Sequence, residues 1–197
     1  MQNPADCFDD LRAVVRLILM HPLQYEWSLQ GFGMLRLYLP NDRRLHVWSS
    51  DHAVEGVSTI HTHPWHFTST VLSGQVEDVL YCNPPCVRIA SRPYRVARIL
   101  CGEGGGIEGD PAGRPTRLGT CARVVYLPGQ QYRRRASDIH SSNPKPGTVT
   151  LVERKPLADC DHAEVYWPDG GDWVSAEPRR ATPLEVAEIT SAALEAW

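Results

Sequence analysis

The strongest constraint on the fold is a rhythm. From Gly31 onward, short β-like runs recur about every ten residues, beginning with "MLRLYLP", "RLHVWSS", "VSTIHTH", "FTSTVLSG" and "QVEDVLY". "YRVARIL", "CARVVYLPG", "GTVTLVERKP", "AEVYWP" and "DWVSAEP" follow, each bounded by Gly, Pro, Asn, Asp or Ser. Closely spaced strands with turn punctuation predict an all-β sandwich or barrel. With 197 residues the chain fits one domain with appendages. The expected layout is an N-terminal helical segment over 1–30, a β-barrel over 31–178 and a C-terminal helix over 179–197. Thr182 is the expected N-cap of that last helix, with Pro183 at its first position and Glu185 closing a capping box. The Gly- and Pro-rich stretch 101–119 reads as a long surface loop or a lid.

Several function classes drop out. A formal net charge of −3 and a pI near 6.2 give no footprint for nucleic acid or an anionic membrane. Arg133, Arg134 and Arg135 read as a solvated face. No segment reaches the ~18 apolar residues of a membrane span. "LRAVVRLILM" carries Arg12 and Arg16 at helical spacing and reads as an amphipathic helix, not a secretion signal, so a cytoplasmic protein is expected. The six cysteines form no CxxC pair and are expected to be reduced. The Gly-rich stretch lacks the ending of a phosphate-binding loop.

One cluster points to chemistry. "STIHTHPWHF" places His61, His63 and His66 within six residues of a β-like run. Alternate strand residues share a face, so His61 and His63 point the same way, ~6.5–7 Å apart along the chain. Two imidazoles at that spacing can lean onto one metal ion. His140, in "SDIHSSNP", follows a strand and a turn and is the expected third ligand. His66 reads two ways. A bulge after Pro64 would turn it inward as a catalytic donor or ligand; otherwise it sits at the barrel rim, bonded to backbone. Trp65 reads as a wall of the barrel mouth that contacts substrate. His21, His46, His52 and His162 fall in no constellation.

These motifs resemble those of the cupins. "STIHTH" after Gly56, with Gly74 eleven residues beyond His63, resembles the first cupin motif, and "YLPGQQYRRRASDIH" resembles the second. The resemblance implies a double-stranded β-helix (jelly-roll) barrel with a metal inside its mouth. Cupins commonly carry a Glu shortly after the second His, whereas this chain has Phe67 and Thr68 there. The likeness therefore narrows to three-histidine cupins, best matched by the thiol dioxygenases (cysteine dioxygenase and its relatives). In "VLSGQVEDVLY", Leu72, Gly74 and Tyr81 align with that family, and Glu77 or Asp78 takes its acidic place. Arg36 lies where the family keeps an Arg that grips the substrate carboxylate, although it also reads as a salt-bridged barrel residue. Tyr132 and Tyr166 are the candidates for the family's active-site Tyr, which has no clear match.

Three neutral imidazoles leave a divalent ion's charge uncompensated and favour an anionic ligand. Open facial positions suit non-haem Fe(II) and O2 chemistry, with Zn, Ni or Mn as other occupants. The first expectation is an iron dioxygenase acting on a small anionic substrate such as a thiol-carboxylate. A metal-dependent isomerase or lyase on a sugar or keto acid stays open. So does a non-enzymatic small-molecule-binding cupin. The expected partners are the substrate and O2, and both a monomer and a homodimer fit.

Overall fold

A computed structural model describes residues 4–83, 90–101, 107–108, 110–175 and 177–197. Helix α1 (Pro4–Met20) leads into β1 (Trp27–Gln30), β2 (Phe32–Leu39) and β3 (Arg43–Ala53). Next come β4 (Ile60–His61), β5 (Trp65–Ser73), β6 (Val76–Cys82), β7 (Ser91–Leu100) and β8 (Ile107–Glu108). The chain continues through β9 (Arg114–Tyr126), β10 (Gln131–Arg134), β11 (Ile139–Pro144), β12 (Val149–Pro156), β13 (His162–Pro168) and β14 (Arg179–Arg180). Helix α2 (Pro183–Glu195) follows, capped by the reciprocal Thr182–Glu185 box that the sequence predicts.

The strands form two sheets, ordered β10-β5-β12-β3-β2-β1-β14 and β13-β4-β11-β6-β9-β7-β8. Strand β13 also pairs with β7, which closes the second sheet into a six-stranded antiparallel barrel. With helices at both ends of the chain, the architecture is the expected all-β, cupin-like jelly roll. Gly74 makes the β5–β6 turn at φ +75°, where a Cβ would lie 2.4 Å from Thr148 Oγ1.

The first sheet has two different faces because side chains alternate along each strand. Leu35 and Leu37 of β2, Leu45 and Val47 of β3, and Val149 and Leu151 of β12 all face outward. Helices α1 and α2 cover them with Val15, Leu19, Val186 and Ile189, forming the main apolar core. The intervening residues Arg36, Tyr38, Arg44, His46, Trp48 and Arg154 face a cavity of about 820 Å³ between the sheets. The largest hydrophobic core thus lies outside the β-structure, and the space inside it sets buried arginines and histidines among apolar side chains.

Three expectations need correction. Segment 101–119 is not one long loop: Ile107–Glu108 pairs with β7, and 114–119 open β9. A lid role for residues 102–106 and 109 concerns positions outside the described residues. Segment 1–30 is not wholly helical, since it contains β1, which pairs with β2. Among its described residues the run "DWVSAEP" contributes a bridge from Val174 to Val57 and no longer strand.

Candidate metal centre

Strand pairing brings the predicted histidines together. His61 of β4 sits directly opposite His140 of β11. On its other side it faces Val165 of β13. Thr62 N–H donates to Glu164 O and Thr62 Oγ1 accepts from Glu164 N–H, so this side chain is spent on β13. His63 N–H donates to Ala136 O at 3.2 Å, which holds His63 beyond the strand end with its ring against the other two. Ring centroids lie 4.5 Å apart for His61 and His63, 5.1 Å for His61 and His140, and 5.2 Å for His63 and His140. One nitrogen from each ring lies within 4.8 Å of the others.

Hydrogen bonds set the tautomers. His61 Nδ1 lies 2.7 Å from Thr59 O, and a carbonyl only accepts, so Nδ1 carries the proton and Nε2 keeps its lone pair. His140 Nδ1 lies 2.8 Å from Asp78 Oδ1, which likewise leaves His140 Nε2 as a free base. Asp78 is 1% exposed, and its Oδ2 accepts from Nε and from a terminal nitrogen of Arg134. Burial first, then the neighbouring His140, pushes His61 down to about 4. Burial and the other two imidazoles hold His63 well below the ordinary histidine range. His63 Nε2 and His140 Nε2 are 3.0 Å apart, a spacing suited to two ligands each about 2.0–2.1 Å from one cation. Converging imidazoles, two of them with preset tautomers, fit a divalent transition metal.

No family model matches the chain, and no curated protein matches it.

The other predicted residues divide between the cavity and elsewhere. Arg36, 6% exposed, reaches the cavity wall, where its Nε donates to Ser28 Oγ at 3.3 Å. It has no ion-pair partner among the described residues, so the salt-bridged reading of Arg36 falls. Trp65 packs 5.3 Å from the His63 ring and lines the cavity as expected. Tyr132 is buried in the wall, with its hydroxyl 3.3 Å from Ser142 Oγ. Phe67 stands between it and the histidines, 6.0 Å from Tyr132 and 5.5 Å from His140. Tyr166 instead donates its hydroxyl to Glu164 Oε2 at 2.5 Å and packs with Val96, Leu118 and Ile139. Asp78 rather than Glu77 is the acidic residue at the site; Glu77 bonds Asn143 and Arg123.

His66 corrects an expectation. It lies between Trp65 and Phe67, so strand alternation turns it away from the cavity. Its Nδ1 accepts from Ala136 N–H at 2.9 Å, in a separate groove shared with Arg133, Arg135 and Lys155. It is neither ligand nor catalytic donor. Sequence reasoning missed His46, whose buried Nε2 has no hydrogen-bond partner among the described residues and whose ring lines the cavity. Burial, then Arg44 and Arg36, keep His46 neutral. In the sequence Arg44, His46 and Trp48 alternate with Leu45 and Val47, which puts His46 on the face opposite the apolar residues without saying what it meets there.

Proposed function

We propose that the chain is a three-histidine cupin that holds Fe(II) through His61, His63 and His140 and oxidises a small anionic substrate such as a thiol-carboxylate. The observation that carries this reading is the convergence of three imidazoles, with no carboxylate among the converging groups, on a cavity walled by arginines. Such a set leaves the ion's charge to attract an anionic ligand. Bound iron would supply the one-electron reactivity toward O2 that no side chain possesses. The overall reaction is RSH + O2 → RSO2H: the O–O bond breaks, two S–O bonds form, sulfur loses four electrons and oxygen gains them. Asp78 fixes the His140 tautomer by accepting a hydrogen bond from its Nδ1–H. Arg36 supplies a planar donor pair for a carboxylate. Phe67 and Trp65 keep water from the histidines.

Metal analysis of protein purified without chelators tests this, together with oxygen uptake on adding thiol-carboxylates. Near-stoichiometric iron and thiol-dependent uptake are expected, with both lost in His61→Ala. Zinc or manganese without uptake, or undiminished metal in His61→Ala, would overturn the reading.

A further inference from the structure

Arginines collect on one part of the cavity wall. The guanidinium carbons of Arg36, Arg44 and Arg154 lie 4.8, 4.7 and 6.0 Å from the Tyr38 ring centroid. Those of Arg44 and Arg154 also stack on Trp65, at 4.7 and 5.1 Å. Arg36 and Arg44 are 6% and 9% exposed. Against these three positive charges stands one bound acid, Asp42, whose Oδ1 accepts from Arg154 at 2.8 Å. Set against the acid that pairs with them, three minus one leaves two positive charges without an ion-pair partner among the described residues. Glu177 lines the same cavity but pairs with none of the three. Among the described residues nothing bonds the Arg44 guanidinium, and Nε of both Arg44 and Arg154 is buried without a partner.

A fold has no stabilising reason to crowd like charges there. Burying an unpaired guanidinium is costly, and three together repel. Burial first, then Arg36, pushes Arg44 down to about 9, still charged at neutral pH. Aromatic stacking offsets part of that cost. A ligand of two negative charges would offset the remainder and satisfy the open donor forks. We propose that Arg36, Arg44 and Arg154 form a dianion site, so that the substrate carries a phosphate- or sulfate-like group or a pair of carboxylates. Trp65 links the two ends of the cavity, touching His63 on one side and Arg44 on the other. The inference deepens the proposed function, resting on its assignment of this cavity to the substrate, and it asks for more charge than a single carboxylate brings.

The test is binding of inorganic phosphate, succinate and acetate to the full-length protein at matched ionic strength, by calorimetry and thermal shift. Phosphate or succinate is expected to bind and to raise the melting temperature, and acetate is not. A preference for phosphate would indicate a phosphoryl or sulfuryl group, and a preference for succinate would indicate two carboxylates. Arg44→Met should weaken dianion binding about tenfold or more. It should also raise the melting temperature in anion-free buffer, because a repelling charge is gone. Arg44→Lys keeps the charge without the fork, should weaken binding in the same direction, and serves if the Met variant does not fold. Equal response to acetate and the dianions, or wild-type affinity in both variants, would overturn the proposal. A lower anion-free melting temperature in Arg44→Met with unchanged affinity would mark a purely structural arginine and overturn it too. Metal content in the same samples separates the two readings: metal without dianion binding removes only the arginine site, and dianion binding without metal removes only the iron.

Discussion

Asp78 does two tasks with its two oxygens. Oδ1 accepts a hydrogen bond from His140 Nδ1–H and Oδ2 accepts from Arg134. Asp78→Asn offers one acceptor where two are used, so the His140 tautomer is no longer held. Metal affinity should fall about 10–100-fold, measured by chelator competition, while His66→Ala leaves it unchanged. The cavity histidines also set an acid limit on the metal-free protein. The folded-state pKa of His61 is about 4 against an ordinary 6.5, and His46 and His63 shift the same way. Between those pH values the unfolded chain binds protons that the folded chain refuses. Stability should therefore be level above pH 6.5 and fall as pH drops toward 4, by up to about 1.4 kcal/mol per pH unit for each imidazole. Urea midpoints across that range check it. His61 and His63 were legible as a pair from their HxH spacing, although β4 ends at His61 and the bond from His63 N–H to Ala136 O, not strand alternation, sets the second ring. His46 was not, because its relation to Arg36 and Thr150 exists only as cross-strand register.

The turn at Gly74 shows how tightly the elements are set. Its φ of +75° and the 2.8 Å approach of a hypothetical Cβ to Thr148 Cα leave no room for a side chain. Gly74→Ala should destabilise by more than about 1 kcal/mol, seen in thermal or chemical unfolding. Because β5 leads from Trp65 to this turn, the variant should also disturb the cavity wall and lower metal occupancy. The longer strands were legible from their alternation and punctuation, and α2 from its capping box, whereas β10 and β11, with few apolar residues, were not. Strand β1 was not, because four residues, "WSLQ", carry too little pattern to stand out beside a helix. The start of β9 was hidden for a different reason: "RPTRLG" has few apolar residues, and pairing with β7 makes it a strand.

At the scale of the whole molecule, α1 and α2 stabilise the sheet from the side opposite the site. Ile189 is 1% exposed and packs in the helix–sheet core. Ile189→Ala should cost about 2–5 kcal/mol in chemical denaturation yet leave the metal content of the folded fraction unchanged. Jelly-roll architecture was readable from strand spacing and the resemblance. The two-faced sheet was encoded in the same alternation, but which face meets helices and which meets the cavity depends on where α1 and α2 dock.

Separating the fold's main apolar core from the arginine-lined cavity has a consequence for change. Most enzymes that exchange pocket residues risk unfolding, since pocket and core share side chains. Here the residues that would meet a substrate alternate with, but do not belong to, the layer that keeps the sheet assembled. Selection, or an engineer, can rewrite the chamber's lining at positions 36, 44, 46 and 154 while the scaffold behind it stays intact.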